Sequence, residues 1–256
     1  MPTRLPITIF TALVLAVGMP ITAAAQRLAD PQSRREAIEL FRRGQEFFTS
    51  EKFDRAAEEF AKATIKDPLF TLAYYQAGQS YMNLKRYASA IKAFEQSLES
   101  TRALYGLSET NRFAVEKQRD DEVREMRESV NALRALASRT PGSGYALRAE
   151  RAEQHLHDLE SQRSSLAGGY RPPAEVLLSL GSAYFRNGDQ QQAELQWKAA
   201  IDSNPKLGEA HNNLAVVYMV TGRYQQAEAE IKAAEKSAFR VNPQLKADLK
   251  KASGRD

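Results

Sequence analysis

The sequence predicts an all-α fold, an α-solenoid of helix-turn-helix repeats with one long helical hairpin inserted into it. Similar residues recur 34 positions apart in two separate stretches of the chain, and a fixed period of this length is typical of stacked helix pairs. Within each period, apolar residues follow the 3–4 spacing of an amphipathic helix. Between the two stretches the period fails while helical spacing continues, which indicates an insertion.

The composition is that of a folded protein with a surface of mixed charge. Of 256 residues, 43% are apolar, which is enough for a substantial core. The 36 Lys and Arg residues are interleaved with 32 Asp and Glu residues. Nucleic-acid binding would need the basic residues to cluster on one face, so we expect no nucleic-acid partner. The chain has no Cys, so it forms no disulfide and carries no lipid on a cysteine.

Residues 1–25 have the pattern of a secretory signal peptide. Arg4 supplies the positive charge and residues 7–17 form an apolar run. Ala23–Ala25 provides the small residues of a cleavage site before Gln26. We therefore expect an exported protein, either periplasmic or secreted.

An uncleaved membrane anchor is the alternative interpretation of the N-terminus. Residues 5–25 carry no charge and approach the ~20 residues that span a bilayer. They would then hold the protein at the inner membrane, which is the only membrane contact that we expect. Pro6, Gly18 and Pro20 interrupt the run and favour cleavage.

The repeated residues resemble those of the tetratricopeptide repeat. That unit has large residues at positions 4, 7, 11 and 24, small residues at 8, 20 and 27, and Pro at 32 of about 34 residues. We call each of these repeat positions a column. The residues that occupy the columns are Gly44, Phe47, Ala56 and Pro68 in the first unit, Gly78, Tyr81 and Ala90 in the second, Gly181, Tyr184, Ala193, Trp197 and Pro205 in the third, and Ala215, Tyr218 and Ala227 in the fourth.

The same columns divide the chain into segments. Residues 26–104 hold units one and two (37–70 and 71–104), residues 105–173 are the insertion, and residues 174–241 hold units three and four (174–207 and 208–241). Residues 242–256 are expected to form a capping helix and tail, because Asn242-Pro243 is a helix start signal.

The small residues of the repeat indicate where two helices approach each other closely. Gly181 and Tyr184 lie on one face of a first helix, and Ala193 and Trp197 lie on one face of the second. We expect Gly181 to face Ala193, with the two aromatic side chains filling the space beside them.

The insertion is predicted to be an antiparallel helical hairpin similar to a coiled coil. Two runs of 3–4 spacing flank the break at Pro141–Gly144. The hairpin either projects as an arm for docking or homodimer formation, or packs on neighbouring repeats and continues the stack. Because the hairpin separates the two pairs of repeats in sequence, its placement decides whether a groove along all four units is continuous or split. Its apolar seam consists of Val123, Met126, Val130, Leu133, Ala137, Tyr145, Ala149, Ala152, Leu156 and Leu159.

No motif in the sequence points to catalysis, a metal or a cofactor. His155 and His157 are two positions apart on a helix, so their rings point ~200° apart and cannot share a metal. We interpret them as part of a solvated face. His211 stands in a large-residue column of the fourth unit, which favours a packing role. We therefore expect no catalytic residue, no metal and no cofactor.

The resemblance implies a protein or peptide partner. Members of this family commonly bind through the concave face that the first helix of each unit forms. Carried over column by column, that face consists of Tyr75, Gln79 and Asn83 in the second unit, Leu178, Ser182 and Arg186 in the third, and Asn212, Val216 and Val220 in the fourth.

The function that the sequence favours is a non-catalytic scaffold or adaptor in the bacterial cell envelope. The alternative is a membrane-anchored structural subunit of a secretion or envelope-assembly complex, which would apply if the N-terminal segment is not cleaved.

Overall fold

A computed structural model describes the backbone of residues 27–164 and 169–254, with side chains throughout except at 162–164. Regular secondary structure in these ranges is entirely α-helical, which confirms the predicted fold class. The helices are α1 (Pro31–Thr49), α2 (Phe53–Lys66), α3 (Thr71–Asn83), α4 (Tyr87–Ser108), α5 (Arg112–Arg139), α6 (Tyr145–Ser164), α7 (Ala174–Arg186), α8 (Gln190–Ser203), α9 (Gly208–Val220), α10 (Tyr224–Lys236) and α11 (Pro243–Ala252).

Four antiparallel helix pairs, α1–α2, α3–α4, α7–α8 and α9–α10, form the repeats. Each pair turns through a residue with positive φ at the same repeat position. In the third and fourth pairs that residue is Gly188 or Gly222, whereas Glu51 and Lys85 adopt φ of 59° and 58° in the first two. Only glycine adopts this conformation without steric cost.

A glycine of the first helix makes room for a ring of the second helix. A Cβ added to Gly44 would lie 2.6 Å from the Phe60 ring, and one added to Gly181 would lie 2.5 Å from Trp197. The column pattern pairs Gly181 with Ala193, but the three atoms nearest to that Cβ position all belong to Trp197. The glycine column therefore exists because an aromatic ring needs its space.

The four pairs form one continuous stack, although the insertion separates them in sequence. Helix α4 packs directly on α7. Gln79 donates a hydrogen bond of 3.0 Å to the Ser179 hydroxyl, and the Tyr184 hydroxyl donates one of 2.7 Å to Glu95. The two pairs of repeats are therefore contiguous in space, and the insertion does not divide the stack.

Helix α11 covers the far end of the stack. Leu245 and Leu249 are buried in the core that the third and fourth pairs share, and the Asn242 side chain accepts a hydrogen bond from the Gln244 amide at the start of the helix. In the described part of the chain, no helix is both long and apolar enough to cross a bilayer. The predicted signal segment, residues 1–25, lies outside the described residues.

Candidate functional site

The side of the solenoid formed by α1, α3, α7 and α9, here named the first-helix face, is where family resemblance places partner binding. The α5–α6 hairpin lies on part of this face. Helix α5 contacts α1 and α3, and α6 contacts α7. Of the two placements left open by the sequence, the structure has the hairpin packed on the repeats, but it does not continue the stack, because α4 packs on α7.

A buried network of charged and polar groups joins α5 to the first repeat. The Arg34 guanidinium pairs with Asp67 and lies 3.8 Å from a carboxylate oxygen of Glu122. Glu122 also accepts a hydrogen bond from the Thr71 hydroxyl and one of 3.2 Å from the Leu72 amide. Burial raises the pKa of Glu122, while Arg34 and the hydrogen bonds oppose that rise. The charge on Arg34 thus allows a carboxylate to be buried at this contact.

A second ion pair lies one helical turn further along α5. Arg42 donates two hydrogen bonds, of 3.0 and 2.9 Å, to the two carboxylate oxygens of Glu125. Glu125 is fully buried, and its hydrogen bonds raise the pKa of Arg42. Such a bidentate pair fixes both distance and orientation, so it sets the register of α5 on α1.

Beyond these two pairs, the contact becomes apolar. Met126, Val130 and Leu133 are buried in one cluster with residues of the first two repeats, Phe41 and Tyr75 among them. The apolar seam of the hairpin is therefore shared between the hairpin itself and the first-helix face.

Helix α6 covers the middle of the face with an aromatic stack. The rings of His155 and Tyr75 are 4.0 Å apart and nearly parallel, at 15°. Burial lowers the pKa of His155 to about 3, so its ring is neutral in this contact. The interpretation of both histidines as a solvated face is wrong for His155, which α6 turns towards α3, whereas His157 is exposed.

Helix α6 also contacts the N-terminal turns of α7 and α9. Asp158 accepts a hydrogen bond of 2.9 Å from the Glu175 amide in the first turn of α7, where a helix favours negative charge. Arg151 pairs with Glu209 at 2.7 Å, in the first turn of α9. Burial, and after it the charge of Asp158, raises the pKa of Glu175 to about 8.

Because the pKa of Glu175 is raised in the folded protein, we expect ionisation of this residue to lower the free energy of unfolding as the pH rises. The unfolded chain loses this proton near pH 4.5, whereas the folded protein holds it up to about pH 8. Stability therefore falls across that interval and levels off above it. We expect Glu175→Gln to stabilise the protein by about 3 kcal/mol more at pH 8 than at pH 5, measured by urea unfolding. A gain of equal size at both pH values would contradict the assignment.

The residues predicted to bind a partner fall into two groups. Tyr75 and Leu178 are 4% and 3% exposed; Tyr75 lies beneath the hairpin, and Leu178 belongs to the core of the third and fourth repeats. The Gln79 side chain donates a hydrogen bond to Ser179 of the next repeat in the stack. The residues that are not buried are Gln79, Asn83, Ser182, Arg186, Asn212, Val216 and Val220.

The residues that dock the hairpin were not predicted from the sequence. No pattern in the sequence singles out Glu122, Glu125 or Asp158 as contact residues, yet all three are buried. One signal was present: Glu122 and Glu125 each precede a residue of the apolar seam, so they repeat beside it at helical spacing. Among the described side chains, no group of three or more His, Cys, Asp or Glu residues is arranged to hold a metal ion.

Comparison with known proteins identifies the repeats. A family model described as "Tetratricopeptide repeat" matches residues 35–105 and 173–240, which together are more than half of the chain. The insertion lies between the two matched ranges.

Two curated relatives match a shorter stretch. Photosystem I assembly protein Ycf3 of Rippkaea orientalis (strain PCC 8801 / RF-1) is 37% identical over 78 residues, which cover 27% of this chain and 45% of the relative. Ycf3 of Cyanophora paradoxa is 39% identical over 57 residues, which cover 22% of this chain and 33% of the relative. The chain thus spans less than half the length of these relatives.

Solved structures show weaker similarity. TTC0263, a thermophilic TPR protein of Thermus thermophilus, is 19% identical with a TM-score of 0.28, covering 85% of this chain and 98% of its own. The TPR2AB-domain:pHSP90-complex of yeast Sti1 is 16% identical with a TM-score of 0.29, covering 85% of this chain and 98% of its own.

Proposed function

Because the chain belongs to the tetratricopeptide repeat family, we propose that it is a non-catalytic scaffold or adaptor that binds another protein through the uncovered part of its first-helix face. Tetratricopeptide repeats support protein interaction in general. The finer assignment rests on the division of this face into a part beneath α5–α6 and a part that remains accessible.

The accessible part, on α7 and α9, has the mixed chemistry that suits an extended peptide. Val220 is 54% exposed and Val216 is half-buried one turn before it, so the pair can receive an apolar side chain. Arg186 is exposed, and Asn212 and Ser182 are half-buried. These groups can bond to a carboxylate or to peptide groups of a partner.

Site-specific photocrosslinking tests this assignment with a matched pair of positions. Val220 on α9 and Leu195 on α8 are exposed to nearly the same extent, 54% and 57%, but only Val220 belongs to the first-helix face. We expect a crosslinking amino acid at position 220 to give discrete protein adducts in intact cells, and the same probe at position 195 to give none. Identical adducts at both positions, or adducts at position 195 alone, would refute the proposal.

The setting that we propose is the bacterial cell envelope, with residues 1–25 acting as a cleaved signal peptide and the mature protein periplasmic or secreted. The alternative is a structural subunit of a secretion or envelope-assembly complex, anchored in the inner membrane by residues 5–25. Mass spectrometry of the N-terminus separates the two: a start at Gln26 supports the first, and retention of Met1 supports the second.

The names of the curated relatives are compatible with a scaffold. Both Ycf3 proteins are named as assembly proteins of photosystem I. For this chain we propose the general property alone, that its repeats bring proteins together. A photosystem partner is not part of the proposal, because the match covers about a quarter of the chain.

A further inference from the structure

The solenoid is complete without the α5–α6 hairpin. Helix α4 packs on α7, so the repeats share a continuous stack that the hairpin does not bridge. Residues 109–111 connect α4 to α5. The hairpin is also held together by its own ion pairs, Arg127 with Glu160 and Arg134 with Glu153. The hairpin is therefore a separate helical unit that packs on the surface of the stacked repeats.

The contact between hairpin and repeats shows which chemistry this surface complements. Two carboxylates three positions apart, Glu122 and Glu125, meet the basic residues Arg34 and Arg42. An apolar stripe along the same helix then enters the shared core through Met126. The part of the first-helix face on α1 and α3 is thus complementary to an acidic amphipathic helix.

The same region contains polar groups that a permanent core would satisfy. Gln45 Nε2 on α1 and His155 Nδ1 on α6 are buried without a hydrogen-bond partner among the described residues. An unsatisfied buried polar atom costs free energy, so these atoms weaken the docked arrangement. His155 regains access to water when α6 leaves the face.

We propose that the first-helix face of units one and two is a second binding site, which accepts an acidic amphipathic helix of another protein, and that α5–α6 occupies this site as an internal competitor. The partner's helix takes the place of α5, with its carboxylates on Arg34 and Arg42. This site is distinct from the accessible surface around Val220. The internal competitor keeps the apolar face covered until a partner displaces it.

A peptide with the sequence of residues 112–139, labelled with a fluorophore, is a defined probe for this site. In the full-length chain, Glu125→Lys places a like charge beside Arg42 and weakens docking of the chain's own α5. We expect the peptide to bind this variant at least about tenfold more tightly than wild type. Glu150, which is exposed on α6, offers a control, since Glu150→Lys should leave the affinity at the wild-type level.

A charge swap distinguishes competition from non-specific binding. In the double variant Arg42→Glu with Glu125→Lys, the internal pair is restored with reversed signs, while the peptide's own Glu125 now meets Glu at position 42. The proposal requires the peptide affinity to fall back to the wild-type level or below. Equal peptide binding to the single and double variants would overturn it, and so would a single variant that binds no better than wild type.

Hydrogen exchange of the wild-type chain keeps the proposal testable if Glu125→Lys fails to fold. We expect the amides of α5 and α6 to exchange through an opening that leaves α8 and α10 protected. Loss of protection in all four helices at once would overturn the proposal. Neither outcome alters the crosslinking result expected at Val220, so the two sites can fail independently.

Discussion

Replacing Arg34 with Ala is expected to lower the free energy of unfolding by about 3–5 kcal/mol, the range found when one partner of a buried ion pair is removed. Arg34 is the cation shared by Asp67 and Glu122, and its guanidinium also lies 4.2 Å above the Phe70 ring. Without it, the two buried carboxylates lose the cation that they share, while the charge of Asp67 still disfavours ionisation of Glu122. Urea unfolding at neutral pH measures the effect.

The adjacent Arg35 provides the control, because it is exposed on the same turn of α1. Arg35→Ala should change stability by less than about 0.5 kcal/mol. Loss of Arg34 also removes the charge that opposes the raised pKa of Glu122. The deficit of Arg34→Ala should therefore shrink as the pH falls and Glu122 takes up a proton. A deficit below about 1 kcal/mol would show that the network contributes little.

Gly181→Leu is expected to destabilise the protein by about 3 kcal/mol through overpacking. A Cβ at this position would lie 2.5 Å from Trp197 Nε1. That ring is 2% exposed and donates a hydrogen bond of 3.1 Å to the Leu178 carbonyl. The ring therefore cannot move aside without breaking this bond and opening the helix pair.

Gly106 is a matched control for this substitution. It also lies within a helix, α4, but a Cβ there meets nothing within 4 Å. Gly106→Leu should leave stability unchanged or raise it by up to about 1 kcal/mol, since glycine is a poor helix former. Trp197 is the only tryptophan of the chain, so its fluorescence reports repacking directly. Equal melting temperatures for Gly181→Leu and wild type would show that Trp197 tolerates the added side chain.

The repeats could be predicted from the sequence because their packing is local. Gly181 and Trp197 belong to adjacent helices of one pair, and a glycine faces a ring in the same way in the first two units. What the column pattern did not give was the exact neighbour, since Ala193 and Trp197 lie on the same face of α8 one turn apart. A pattern of small and large residues indicates which face is buried and leaves the pairing across it undetermined.

The position of the hairpin could not be predicted because the contacts that hold it are far apart in the chain. Arg42 and Glu125 are separated by 83 positions, and periodicity carries no information over that separation. The apolar seam indicated that one side of α5 is buried, which a free hairpin would also satisfy. The same holds for His155. Its stacking on Tyr75 could not be predicted, because the two residues meet only when the hairpin is docked on the repeats.

The direct contact between α4 and α7 has a consequence for the order in which the chain folds. Gln79 and Ser179 are 100 positions apart, so their contact closes a long loop, and the entropy of closure must be overcome before any of its bonds form. The two local pairs of repeats can form earlier, because their contacts are short in sequence. During synthesis, the surface of α4 that receives α7 is made before its partner exists. The seam between the second and third repeats should therefore be the last part of the stack to form.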